Sequence, residues 1–374
     1  MSRPVYSNIA YQVLFYALEA ETGKNFTQLL QELITTPFNM TSTIPSPGND
    51  SLAVIPPVSN NWGSPYGDAV PAGGLVSTLA DLSSFLSAIL HRTILDTPTE
   101  TTQWLQPISF AGSQHSFLGA PWEIFRPPPE LLFPGNPDDS PTVTILAKDG
   151  GAYGYRSRIA VIDEYGLGIA LLTAGDLGAL AELYDAILSV VVPAAHAAAR
   201  EQVETEYVGQ FSAGLSAPDE NGVAVPVSLA TELDGKALRV AGLQRNGTDM
   251  MAAVEEVWAV TVGMFASSYK PTGIWRVYPA GVERESVLED GTRVVEEDWR
   301  VWWDLEPDSA TELPGKGISA MDCLSWTLAD WLYYGSEPVD RVVFVRDAGT
   351  GRVIGADVPF MRSGFMAKGG NGDS

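Results

Sequence analysis

The feature that most constrains this chain is a single change of texture near Glu201. Before it, apolar residues recur at helical spacing over long stretches. After it, short runs rich in Val, Trp and Tyr alternate with turn pairs such as Asp234-Gly235, Asp290-Gly291 and Gly349-Thr350-Gly351. Such a switch predicts two domains. An α+β domain is expected over residues 1–200 and an antiparallel β barrel or sandwich over 201–366, with a disordered tail at 367–374.

In the first part, Ile9, Val13, Tyr16, Ala17 and Ala20 form one helical stripe that stops at Gly23. A second helix fits Phe26 to Thr35, before Pro37. Residues 42–72 are rich in Pro, Ser, Asn and Gly and read as loop. Thr78 and Asp81 resemble a capping box, and Leu82, Phe85, Leu86, Ile89 and Leu90 continue that helix. Residues 93–141, with Pro127-Pro128-Pro129, read as a long loop. Strands are expected at 142–147, 157–162 and 167–173, the last two joined by Asp163-Glu164-Tyr165-Gly166, and a long apolar helix at 176–199. In the second part, strands are expected at 225–229, 237–243, 254–262, 274–278, 294–303, 339–345 and 353–358.

The formal net charge is −24. A surface this acidic repels nucleic-acid phosphates and anionic lipid, so neither is expected as a partner. The single cysteine, Cys323, supports neither a disulfide framework nor a zinc site, and no cofactor is expected. His91, His115 and His196 form no Cys-His signature with it. No apolar run follows Met1-Ser2-Arg3-Pro4, so no signal peptide is read here. The longest apolar run, 186–199, contains Pro193 and is too short to span a bilayer. Four sequons, at Asn25, Asn39, Asn49 and Asn246, suit a secreted, extracellular glycoprotein.

Three features that can carry chemistry occur in order. Tyr6-Ser7-Asn8 heads a helix. Pro71-Ala72-Gly73-Gly74-Leu75 precedes the capped helix. Lys148-Asp149-Gly150-Gly151 ends a strand and is followed by Tyr153-Gly154-Tyr155. Singly, each is common by chance. As an ordered set they resemble the serine β-lactamase, penicillin-binding-protein and esterase superfamily, especially its class C-like members. The resemblance covers about residues 4–200. The remainder resembles the lipocalin-like carboxy-terminal domain of fungal β-lactamase-like proteins, with Tyr207-Val208-Gly209-Gln210-Phe211 as its opening strand.

That resemblance implies a β-lactamase/transpeptidase-like fold and acyl transfer through a serine ester on a small acyl compound. Tyr6 then relays protons, and Lys148 holds a positive field over the site. Asn8 binds substrate or the lysine of a Ser-x-x-Lys element. Gly150 lets substrate approach the strand, and the Gly151 N–H is one oxyanion donor.

Two departures stand out. Asp149 replaces the usual Thr or Ser, whose hydroxyl binds a substrate carboxylate. A carboxylate there is expected to repel anionic β-lactams, which leaves a neutral ester, amide or lactone. The second concerns the nucleophile: Ser-x-x-Lys belongs upstream of Tyr6, where only five residues stand. Ser267-Ser268-Tyr269-Lys270 has the spacing but lies in the β-rich part, so circular permutation is not favoured. The chain therefore reads as amino-terminally truncated, a fragment or one that needs a partner chain. It is expected to be inactive as written, a missing nucleophile costing about a millionfold. The alternatives are a non-catalytic ligand- or partner-binding protein, with Trp299, Trp302 and Trp303 as candidate contacts, and a β domain that merely covers the hydrolase domain. The first reading for those tryptophans is core packing on alternate strand faces.

Overall fold

The computed structural model describes residues 5–135, 140–213, 223–235, 237–264, 269–307 and 330–369. Contacts divide the chain into two compact units, Met1–Ala197 and Ala198–Ser374.

In the first unit, helix α1 (Asn8–Thr22) starts where the Ser7 hydroxyl accepts from the Ala10 N–H. It stops at Gly23, whose φ of 68° suits a residue with no Cβ. The next helix, Phe26–Leu30, opens with an Asn25/Gln28 capping box and continues as a π-helical turn, Gln31–Thr35. Helix α2 (Leu79–Leu90) is capped by Thr78, but the expected capping box is only half made. The Asp81 carboxylate is buried and accepts from the Ser42 N–H (2.8 Å) and the Thr43 hydroxyl (2.7 Å) instead. It ties a loop to the helix.

The sheet has six strands in sequence order, each antiparallel to the next: β1 (Ser109–Phe110), β2 (Ser116–Leu118), β3 (Glu123–Phe125), β4 (Ile145–Ala152), β5 (Tyr155–Ile162) and β6 (Leu167–Ala174). Three of the six fall within residues 93–141, read from the sequence as loop. Strands of two or three residues carry no alternation to detect.

Both faces of β4 and β5 are covered, with the period of two that strands impose. Ile145, Ala147, Ala160 and Ile162 pack with Tyr184, Leu188 and Val192 of helix α3 (Ala179–Glu206). Leu146 and Val161 pack with Leu86 and Ile89 of α2. Ile145 and Ile162 have no exposed surface, and burying each contributes ~1.5–3 kcal/mol. Helix α3 runs 28 residues, straight through Pro193. By length and apolarity alone it could cross a bilayer, contrary to the sequence expectation. Its Tyr184, Leu188 and Val192, at i, i+4 and i+8, are buried in the core of the first unit.

The second unit is a closed barrel. Its strands are β7 (Gly209–Ala213), β8 (Val227–Leu233), β9 (Leu238–Arg245), β10 (Tyr269–Val287), β11 (Arg293–Pro307), β12 (Arg341–Asp347), β13 (Val353–Asp357) and β14 (Met366–Lys368). They pair in the order β8-β7-β14-β13-β12-β11-β10-β9, and β9 returns to β8. Closure decides between barrel and sandwich.

The interior is filled by side chains: Trp275, Phe211, Phe344, Met361 and Met366 are fully buried. Trp299 and Trp303 join them, while Trp302 points out at 41% exposure. Two expectations are corrected here. Residues 254–262 are not a strand; they lie largely in helix α4 (Met250–Thr261). The Asp249 carboxylate caps it through the Met251 and Ala252 N–H groups, and Val254 and Trp258, four apart, are its buried face. The expected tail is also shortened, because Ala367 and Lys368 belong to β14 and pair with Ser212 and Phe211. Cys323, Ser267 and Ser268 lie outside the described residues.

Candidate active site

Strand β4 is paired over Leu146–Ala152 on one side but over only its first three residues on the other. Against β5 the register runs from Leu146↔Val161 to Ala152↔Tyr155. Against β3 it ends at Glu123↔Ala147. Among the described residues, no strand pairs with 148–152 on that second side. The main chain of Lys148 to Ala152 therefore forms an open edge.

The side chains at this edge alternate. Leu146 and Ala147 pack on opposite faces of the sheet, so Lys148 shares the α2 face and Asp149 the α3 face. The Lys148 ammonium donates to Glu123 at 2.7 Å and to the Asp149 carbonyl at 3.3 Å. It also sits 5.0 Å from the centroid of the Tyr6 ring. This brings Tyr6 and Lys148 together. The ammonium meets the ring face, and no hydrogen bond joins it to the phenol oxygen. Tyr6 is 65% exposed. Asn8 is exposed in the first turn of α1 and has no hydrogen-bond partner for its side chain among the described residues.

Asp149 does not stand as a free negative charge. Its carboxylate takes two hydrogen bonds from Arg158, at 2.5 and 2.6 Å. Asp149 and Arg158 face each other directly across the hairpin. The guanidinium lies 4.4 Å from the Tyr184 ring centroid, and burial pushes that phenol up to about 12, so it stays neutral. The pair is partly exposed and worth ~0.2–1 kcal/mol. Arg158 thus offsets the negative charge that the sequence-based expectation left unpaired at Asp149. Glu123 similarly offsets the positive field of Lys148.

Gly150 has a packing reason beside the role expected of it. It faces Ser157, and a Cβ there would collide with the Ser157 hydroxyl. At Gly151 a Cβ would come within 3.1 Å of Arg156 Nη1, which donates to the Ala152 and Tyr155 carbonyls. With no side chains at 150 and 151, the backbone of the open edge stays uncovered. The turn that follows is held by the loop expected at 42–72. Gly154 has φ 85°, and a Cβ there would sit 2.5 Å from Asn60 Cβ. The Asn61 N–H donates to the Tyr153 carbonyl, and the Tyr155 hydroxyl to the Val54 carbonyl. Gly74, in the glycine turn, has its own reason: a Cβ would come within 2.8 Å of Tyr66 Cβ and Val70 Cα.

Glu123 and Arg158 are the site residues that sequence reasoning missed, and it gave Asp81 only a capping role, not its hold on Ser42 and Thr43. Arg158 could have been found by counting across the β4–β5 turn. Nothing in the proline-rich stretch marks Glu123. The four sequon asparagines are exposed. Asn25 caps a helix, Asn49 accepts from Ser51, and Asn39 and Asn246 occupy positive-φ turn positions.

The profile of the family described as beta-lactamase matches residues 2–192, half of the chain. The chain belongs to the β-lactamase family. A second profile, described as beta-lactamase-like-like, C-terminal domain, matches residues 199–369. A beta-lactamase-like protein of Arthroderma benhamiae is 40% identical over 98% of this chain and 61% of its own length. A probable hydrolase of Cochliobolus lunatus is 27% identical over 93% of this chain and 52% of its own length. The D-amino acid amidase of Ochrobactrum anthropi SV3, solved with L-phenylalanine, superposes with a TM-score of 0.38 at 23% identity, covering 51% of this chain and 58% of that one. This β-lactamase-family chain thus spans about half to three-fifths of the length of the curated relatives it matches.

Proposed function

We propose that the open edge of β4, with Lys148 and Tyr6 beside it, is part of a serine-hydrolase site that transfers the acyl group of a small neutral ester, amide or lactone. The observation that carries this reading is the uncovered Lys148–Ala152 edge with an ammonium held at its start. An extended or carbonyl-bearing substrate can add to such an edge through the main chain. The Gly151 N–H is the donor for the developing oxyanion. Lys148 supplies positive charge, tempered by Glu123, and Tyr6 the phenol for proton transfer. The serine belongs to a Ser-x-x-Lys element; the one such spacing in the sequence begins at Ser267, which lies outside the described residues.

Asp149 still favours a neutral substrate, for a reason other than repulsion. Its pairing with Arg158 leaves neither a hydroxyl nor an unpaired cation at that position to receive a substrate carboxylate. The test is kcat/KM of the native-length protein on p-nitrophenyl acetate and on a chromogenic cephalosporin bearing a carboxylate. The ester is expected to be turned over at least tenfold better. A preference for the cephalosporin contradicts the substrate class. Binding of either compound without turnover supports a binding protein instead of an enzyme.

A further inference from the structure

A recess lies on the same sheet, away from the open edge. It has a volume of about 420 Å³, within the range of small-molecule sites. Its apolar lining comes from Leu105, Phe110, Phe117, Ile124 and Leu146. Phe110 and Phe117 meet edge-on at 5.8 Å. Ile124 and Leu146 belong to the buried core cluster, so that part of the lining is fixed. Thr144, at the margin, is four residues before Lys148, about 13 Å along the strand. None of residues 148–152 lines the recess.

The charged groups of the recess are Arg126, Asp163 and Glu164. Both acids are already engaged. Asp163 holds Arg92 through two hydrogen bonds, at 2.6 and 2.8 Å, and Glu164 accepts from the Thr144 N–H at 3.1 Å. Arg126 is different. Its Nε donates to the Thr144 hydroxyl, and its Cζ lies 5.2 Å from the Phe117 ring centroid. No carboxylate among the described residues pairs with it, and its two terminal amino groups have no hydrogen-bond partner there. In a chain of net charge −24, a guanidinium left without a carboxylate beside an aromatic recess is a place for an outside anion. A planar fork of N–H donors matches a carboxylate.

We propose that this recess binds a small aryl carboxylate, its carboxylate on the terminal amino groups of Arg126 and its ring against Phe110 and Phe117. The site is separate from the proposed hydrolase site and does not depend on it.

Titration of the 374-residue chain with 3-phenylpropionate and with neutral 3-phenylpropionamide tests this, read by calorimetry and ligand-detected NMR. The acid is expected to bind saturably and at least tenfold more tightly than the amide. Arg126→Gln removes that difference. Phe110→Ala, at a residue 81% exposed and safe to truncate, weakens both ligands threefold or more. Lys148→Met leaves binding unchanged. The proposal is overturned by equal affinity for acid and amide, by an Arg126→Gln variant that keeps the acid's affinity, by loss of binding in Lys148→Met, or by no saturable binding at millimolar ligand.

Discussion

Gly150 shows how much a single missing methyl group decides at the proposed site. The residue opposite it, Ser157, fills the space a side chain would take. Gly150→Ala is therefore expected to destabilise the protein by about 1–3 kcal/mol through overpacking. Ser157→Ala in the same background recovers most of that loss, which a urea double-mutant cycle measures. Asp357 makes a second residue-level case. Burial raises its carboxyl above the ordinary value, and the Ser363 hydroxyl and Arg341 pull it back only in part. The folded state then holds that proton more tightly than the unfolded state does. Its stabilising contribution is complete below the unfolded carboxyl pKa of ~3.9 and is lost as pH rises through the folded value. Asp357→Asn keeps an acceptor for Ser363 and removes the loss. Thermal scans should show it melting ~2 °C higher at pH 7, with the gap closing towards pH 4. At this scale the sequence was partly readable. Asp149 stands out as a departure from a motif, and its partner Arg158 follows from the hairpin. Glu123 does not, because a partner brought in by a three-residue strand leaves no pattern in the chain.

Elements were legible where they were long and periodic. Helix α1 begins and ends where Ser7 and Gly23 place its caps. The three strands of 93–141 escaped because two or three residues cannot show a period. Helix α4 was misread for another reason: Val254, Val257, Val260 and Val262 are β-formers, but the residues it buries, Val254 and Trp258, are four apart. Its Asp249 cap is the local signal that outweighed propensity. Asp249→Ala should cost ~1 kcal/mol, seen as a lower urea midpoint with unchanged slope. Asp81 acts between elements. Asp81→Ala leaves the Ser42 N–H and the Thr43 hydroxyl without their acceptor, each costing about 1–3 kcal/mol if it stays buried. Limited proteolysis should then cut faster within residues 42–62.

For the whole molecule, the switch of pattern near Glu201 announced two bodies, and the contacts divide the chain inside helix α3, at Ala197 and Ala198. Barrel closure was not legible, because it depends on Met366–Lys368, three residues that bridge β13 and β7 and look like the start of a tail. Membership of the β-lactamase family was legible from the order of Tyr6-Ser7-Asn8, the glycine turn and Lys148-Asp149-Gly150-Gly151. The proposed chemistry depends on the open edge at Lys148–Ala152. The most direct measurement is kcat/KM of the native-length protein on a neutral p-nitrophenyl ester, before and after Lys148→Met. A loss of at least a hundredfold with the melting temperature held supports the open β4 edge as the site of acyl transfer. Undiminished turnover in Lys148→Met contradicts it and moves the chemistry elsewhere in the molecule.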